Sequence, residues 1–352
     1  MEEKQFHNQV YWITFLFSLL VVWVHSFNAE LYLGATQAAA GVKRLEWILG
    51  EGLGQISVPG FFMVSSYLFY RRFNWSRLLP KWKSRIRSIL VPYLIWNFLY
   101  YAGYVAATRI PAISGLIGKP PVPVTIMQSV DALVNYAYNP VFWYLYQLIL
   151  LIALAPVVYP VMKRTLTGAA ALGVIAFALW HGWDFPHLNM DALFYTCGAA
   201  YISLHRDGWG RFAESLPPRG GRRVLCWGAA VLLLALVLFL SRPMAPLYAR
   251  PLSAVLKRIW GVCAVWFLLS GLPLPMARDW MKHNFFLYAI HFAWVRLFNK
   301  AGAILLPPVP ASALSMFLLM PLFMVIISSL LRKCLQSVVP GVYRVLSGNR
   351  QA

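Results

Sequence analysis

A chain of 352 residues with 60% hydrophobic side chains and only 12% charged ones departs far from the roughly 25% charge of a soluble domain, which excludes a soluble enzyme. A mean hydropathy of +0.62 with 16% aromatic residues excludes a disordered chain as well, because disorder goes with too little apolar surface to bury. The net charge of +20, from 31 Lys and Arg against 11 Asp and Glu, would suggest nucleic acid in a soluble protein; in a membrane protein it reports topology.

A membrane-crossing helix needs about 20 mostly apolar residues. Ten stretches fit that pattern: 10–28, 51–71, 88–107, 140–161, 167–181, 188–205, 224–241, 258–273, 284–300 and 311–331. The fold expected is all-α, a polytopic integral membrane protein with about ten transmembrane helices and both termini cytoplasmic. That orientation puts about two thirds of the Lys and Arg on inner segments, the bias of the positive-inside rule, although the tract from Arg242 to Arg258 runs against it. The first stretch reads as a retained span and not a leader. Its n-region Met1-Glu2-Glu3-Lys4 is net negative, and Ala38, Ala39 and Ala40 lie too far beyond the apolar run for a cleavage site. No repeat or low-complexity linker divides the chain, so a single integral domain over 1–352 is expected. The four cysteines form no CxxC pair, and neither a disulfide framework nor a metal site is indicated. GxGxxG, Walker and HExxH patterns are absent.

The chemistry must come from polar residues inside or beside the spans. His25 ends the first one, after Val21-Val22-Trp23-Val24. Burying an ionisable group without a partner is costly, which makes it a functional candidate by default; the plain alternative is a histidine that caps a neighbouring helix or reaches the interface. At about 1.5 Å per residue from an inner entry near residue 10, His25 lies roughly 22 Å up a core of about 30 Å, in the outer half. The second span ends Pro59-Gly60-Phe61-Phe62-Met63-Val64-Ser65-Ser66-Tyr67-Leu68. It is followed by seven cations, Arg71, Arg72, Arg77, Lys81, Lys83, Arg85 and Arg87, a pattern shared by a stop-transfer signal, a contact for anionic lipid heads and a clamp for a phosphorylated ligand. The segment Phe142-Trp143-Tyr144-Leu145-Tyr146 has the composition of an interfacial aromatic belt. A second imidazole, His291, falls inside the ninth span, and two such residues in a chain with seven histidines raise the prospect of a shared proton-handling site.

Taken in order, these pieces resemble the acyltransferase type 3 family, integral membrane enzymes that acylate cell-surface carbohydrates. The matching segments are the first-span end at His25, Pro59 to Leu68, Arg85-Ile86-Arg87 leading to Val91-Pro92-Tyr93, Phe142 to Leu145, and Phe285-Phe286-Leu287-Tyr288-Ala289-Ile290-His291. The likeness covers about residues 10 to 335. It departs from the family pattern at Thr14 and Gln55, where many members carry Arg, and at Ser66, where Gly is usual. Loss of the first Arg removes a fixed cation that could hold a phosphate or polarise a substrate.

The resemblance implies transfer of an acyl group, typically acetyl, from cytosolic acetyl-CoA or another acyl-CoA to a hydroxyl of a glycan or lipid-linked sugar at the outer face of the plasma (inner) membrane. His25 would then be the general base, with Tyr67, Tyr146 and His291 as candidate donors to the oxyanion. The seven cations from Arg71 to Arg87 would hold the phosphates of the donor. No metal is required and no nucleic-acid partner is expected; membrane lipid surrounds the chain, and a homo-oligomer is compatible with it. A different class of function, an exporter or flippase of polysaccharide or lipid-linked sugar with a histidine proton relay, suits the same spans. A receptor or scaffold is poorly served by such short outer loops.

Overall fold

The computed structural model describes residues 3–111, 114–115, 120–206, 219–240, 251–270 and 272–349. It is all-helical, with no strand among the described residues. In chain order the helices are α1 (Glu3–Val24), α2 (Ala29–Leu33), α3 (Gln37–Trp47), α4 (Ser57–Tyr70), α5 (Leu78–Arg85), α6 (Val91–Ala107), α7 (Ile126–Val134), α8 (Trp143–Ala153) and α9 (Ala155–Lys163). They continue with α10 (Thr165–Trp180), α11 (Met190–Leu204), α12 (Arg219–Leu240), α13 (Pro251–Ser270), α14 (Asp279–Lys282), α15 (Asn284–Leu305), α16 (Pro310–Val338) and α17 (Pro340–Leu346). Short π turns, Ile48–Leu53 and Ile86–Leu90, lead into α4 and α6.

Each of the ten apolar stretches falls on helix. Among the described residues four helical segments are long and apolar enough to cross a membrane: Glu3–Leu33, Trp75–Ala107, Pro251–Ser270 and Pro310–Val338. A fifth is added if the pair Pro140–Ala153 and Ala155–Lys163 counts as one span. The others fall short of the length and hydropathy of a free-standing span for identifiable reasons. α4 has 14 residues, α10 has 16 and α11 has 15, against the roughly 20 that a bilayer needs. In α12 the described apolar run is Trp227–Phe239. α15 has the length but carries His291, Arg296, Asn299 and Lys300.

The chain divides into two compact units, one made of Met1–Phe73 and Pro156–Leu331, the other of Asn74–Ala155 and Arg332–Gln351. In the first unit α1 is the central element. Its buried face packs Ile13, Phe17 and Leu20 with Ile56, Val237, Val262, Val265 and Leu269. Higher up, Val22 joins Leu287, Val295, Met320 and Met324. Several polar residues on α1 are hydrogen-bonded. Asn8 exchanges two bonds with the chain before α14, donating to Pro275 O at 3.0 Å and accepting from Ala277 N at 2.7 Å. Gln9 donates to Ser270 Oγ at 2.6 Å, and Ser18 bonds back to Thr14 O at 2.9 Å. α4 lies close along α1 because Gly60 leaves a notch that the Phe17 ring fills: a Cβ there would overlap three ring carbons. Small residues give membrane helices their close approach in this way.

In the second unit, side-chain donors on α6 cap the open carbonyls of its neighbours. Tyr93 Oη donates to Val134 O at 2.5 Å, Asn97 to Leu133 O at 3.0 Å, and Trp96 Nε1 to Leu346 O at 3.0 Å. Trp82 Nε1 does the same for Ile152 O at the end of α8, at 3.0 Å. The turn after α17 needs glycine at Gly348, whose φ of 73° is left-handed and whose missing Cβ leaves room for the Ser88 carbonyl.

Gly60→Ala should lower the stability of the protein in detergent by about 1–3 kcal/mol, the usual cost of overpacking a filled site. Gly103→Ala, where nothing lies within 4 Å of the added methyl, should leave the thermal midpoint unchanged or raise it, since alanine is the better helix former.

Candidate active site

The end of α1 is where polar groups accumulate. Val24 is the last helical residue, and His25 and Ser26 close the turn by donating their backbone N–H groups to Val22 O and Trp23 O, each at 3.1 Å. His25 is half-buried. Its ring centre lies 5.2 Å from that of His291, with the planes tilted by 46°, and its other flank meets Phe292 edge-to-face at 5.5 Å. The two histidines are thus in contact. The guanidinium of Arg296 covers the Phe292 ring at 5.4 Å. His291 is fully buried on α15, and its Nδ1 is 2.6 Å from Tyr288 O.

The loop after His25 is held by a buried network. Ser26 Oγ donates to Val22 O at 2.5 Å and Ser26 O accepts from Asn299 Nδ2 at 3.2 Å. Asn28 Nδ2 donates to Asn299 Oδ1 at 3.2 Å. The backbone N–H groups of Asn28 and Ala29 both donate to Glu46 Oε1, at 2.7 and 3.1 Å. Burial pushes the Glu46 carboxyl above its ordinary range, against the pull of those two donors. Glu46, Asn28 and Asn299 carry no motif and were not singled out by sequence reasoning. Their signal is only that each is a polar residue buried to 5% exposure or less. The π turn before α4 packs on the same end of α1, since a Cβ on Gly54 would strike Val24 and one on Gly50 would strike the Phe27 ring. Alternating glycines at 50, 52 and 54 were the visible sign of that approach, and π turns recur at functional sites.

The Tyr67 ring sits 5.9 Å from Phe6, and Phe6 is 19 residues before His25 on the same helix, roughly 28 Å away at 1.5 Å per residue. Tyr146 belongs to the second unit, where its ring is 5.5 Å from Tyr136. Of the basic tract, Arg71 and Arg72 belong to the first unit. Arg71 donates to Glu3 Oε2 at 2.6 Å and covers the Phe6 ring at 4.4 Å, while Arg72 approaches Glu3 to 3.7 Å. Arg77, Lys81, Lys83, Arg85 and Arg87 belong to the second unit, with Arg77, Lys83 and Arg87 exposed. Arg85 also borders an apolar groove of about 210 Å³ lined by Trp82, Ile86, Ile89, Ile149 and Ile152.

At the three positions that depart from the family pattern, the side chains found here serve local structure. Thr14 Oγ1 bonds back to Val10 O at 2.8 Å, Gln55 donates to Glu51 at 3.0 Å, and Ser66 Oγ donates to Thr196 O at 2.7 Å, tying α4 to α11. On α13 the Arg258 guanidinium pairs with Asp191 at 2.8 Å. Among the described residues no group of three or more His, Cys, Asp or Glu is placed to hold a metal ion.

An all-helical chain with apolar spans and paired imidazoles at a helix end fits a class of membrane-embedded transfer enzymes, and sequence comparison names the class. A family model described as an acyltransferase domain matches residues 10–332, so the chain belongs to the acyltransferase type 3 family. It is also similar to the succinoglycan biosynthesis protein ExoH of Rhizobium meliloti (strain 1021), with 29% identity over 175 residues, 46% of this chain. That match spans 45% of ExoH, less than half its length. No solved structure matches the chain.

Glu46→Ala would strand two buried backbone donors and should cost about 1–3 kcal/mol for each. Glu46→Gln keeps an acceptor oxygen and should unfold near the parent temperature, a contrast read by thermal denaturation of the two variants side by side.

Proposed function

We propose that this chain is a membrane O-acyltransferase that moves an acyl group, acetyl being the expected unit, from cytosolic acyl-CoA to a hydroxyl of an extracytoplasmic glycan or lipid-linked sugar, with His25 as the general base. The observation that carries the reading is a half-buried imidazole at the end of α1 in ring contact with a second one, inside the region matched by the acyltransferase family model. The likeness to a succinoglycan biosynthesis protein supports a polysaccharide or its precursor as acceptor. The matched region runs through both compact units, which supports one acyltransferase domain and not two. All ten helical stretches cross the plasma membrane in this reading, with both termini in the cytoplasm. The exporter alternative has no comparable observation behind it.

The chemistry follows from the neutral imidazole. His25 takes the hydroxyl proton as the alcohol oxygen attacks the thioester carbonyl. The O–H bond breaks and an N–H bond forms, the oxygen bonds to the acyl carbon, and the C–S bond then breaks. The proton leaves His25 for the departing thiolate, so CoA is released as its thiol and the base is restored. The phosphates of the donor are assigned to Arg77, Lys81, Lys83, Arg85 and Arg87, where charge-assisted bonds to phosphate are the strong kind. Arg71 and Arg72 are engaged with Glu3, which makes them helix-end anchors first.

With purified protein, labelled acetyl-CoA and an acceptor glycan, His25→Ala should lose about 10²-fold to 10⁴-fold in transfer, the range of general base catalysis, while remaining folded; undiminished turnover would remove His25 from the mechanism. Arg87→Gln and Lys83→Gln should each raise the KM for acetyl-CoA about 10-fold, the worth of one charged hydrogen bond, and leave the KM for the acceptor in place.

A further inference from the structure

His291 is a buried ring whose protonation state can be deduced from its neighbours. The residue is fully buried on a stretch of α15 where Phe285, Phe286, Leu287, Tyr288, Ala289 and Ile290 are buried as well, and a polar ring in such surroundings is costly unless it is hydrogen-bonded. One nitrogen is satisfied: Nδ1 lies 2.6 Å from the backbone carbonyl of Tyr288. A carbonyl oxygen only accepts, so Nδ1 is the nitrogen that carries hydrogen. A neutral imidazole has one N–H, which leaves Nε2 a bare acceptor. That Nε2 is buried and has no hydrogen-bond partner. The adjoining ring with an N–H to give is His25, at 5.2 Å between centres; the other aromatic neighbour of His25, Phe292, offers no acceptor.

Two consequences follow. His291 is not the oxyanion donor in its neutral form, because its single N–H is already given to Tyr288. Instead, we infer that His291 is a positioning residue for His25: a turn of the His25 ring, 5.2 Å away between centres, lets the bare Nε2 accept its N–H and so directs the opposite, unprotonated nitrogen of His25 toward the incoming hydroxyl. Which ring nitrogen of a histidine is free is set by the bond the other makes, and a base that presents N–H to the alcohol removes nothing. When His25 takes the hydroxyl proton, both of its nitrogens carry hydrogen, and the bond to His291 disperses the new charge. His291 stays neutral throughout, with its own hydrogen on Nδ1, and the proton leaves His25 for the thiolate sulfur. The backbone of Tyr288 thereby orders a chain of three groups, carbonyl to His291 to His25, in which each donor has one acceptor.

This inference rests on His25 being the base, so the experiment keeps the two separate. Steady-state transfer from labelled acetyl-CoA is measured for the parent, His25→Ala, His291→Gln, His291→Phe and His291→Met, each with its thermal midpoint. The glutamine amide oxygen can stand in for Nε2 as an acceptor, whereas phenylalanine and methionine fill the space without a comparable one. The expected result is that His291→Phe and His291→Met lose about 100-fold in kcat, the lower end of general base catalysis, with the KM of donor and acceptor unchanged, and that His291→Gln recovers to within about 10-fold of the parent. Equal kcat for the Gln, Phe and Met variants at equal stability would overturn the acceptor role, as would a Met or Phe variant that works like the parent. If the Phe variant does not fold, the Met and Gln pair decides by the same comparison. Full activity in His25→Ala removes the base itself, and the positioning role goes with it; loss in His25→Ala beside intact His291 variants leaves the base and removes only His291.

Discussion

In hydrocarbon a backbone or side-chain polar group cannot fall back on water, and each one left unmet costs several kcal/mol. That constraint organises this protein. Along α1 the polar side chains are consumed one by one: Asn8 and Gln9 by the chain around Trp266 to Ala277, Thr14 and Ser18 by carbonyls of their own helix, Ser26 by Val22. Beyond the helix end Asn28 donates to Asn299, Asn299 to the Ser26 carbonyl, and Glu46 accepts from the backbone of the turn. Nε2 of His291 is one of the buried polar atoms without a hydrogen-bond partner, and its neighbour is the other imidazole of the site.

The helices were legible in the sequence because apolar runs of the right length leave few other structures open. What the runs could not convey is how each helix ends. The π turn before α4 packs closely on α1, and neither it nor the one before α6 is a matter of hydropathy. The division into two units was also illegible: it depends on which surfaces meet, and Asn74 and Ala155, its borders, are ordinary residues in composition. Counting spans by composition alone gives ten, where length and hydropathy of the helices among the described residues support four or five; short helices such as α4 and α11 lean on neighbours for part of their burial. Ser66 to Thr196 and Ser203 to Tyr67 are examples of that support.

The candidate site was half legible. His25 and His291 could each be picked out as imidazoles in apolar surroundings, yet they are 266 positions apart and only the fold brings their rings within 5.2 Å. The same holds for Asn28 and Asn299, separated by 271 positions. Tyr67, chosen for its place in a motif, proves to belong to the opposite end of α1 beside Phe6, because a motif along α4 says nothing of the direction in which that helix runs past its neighbour. The basic tract, which composition presents as one block, is shared between two compact units, with Arg71 already committed to an ion pair. Family membership supplies the reaction class; the ring contact and the buried network supply the particulars that bear on which residue does what.

The notch at Gly60 has a reach beyond its own packing. A phenyl ring seated where a side chain is missing acts as a key in a slot: α1 cannot roll about its long axis without lifting Phe17 out of place. Eight residues further along, about 12 Å at 1.5 Å per residue, the same rigid rod carries the imidazole. The aim of His25 is therefore fixed in part by a hydrogen atom on the neighbouring helix, at a position that touches no reacting group.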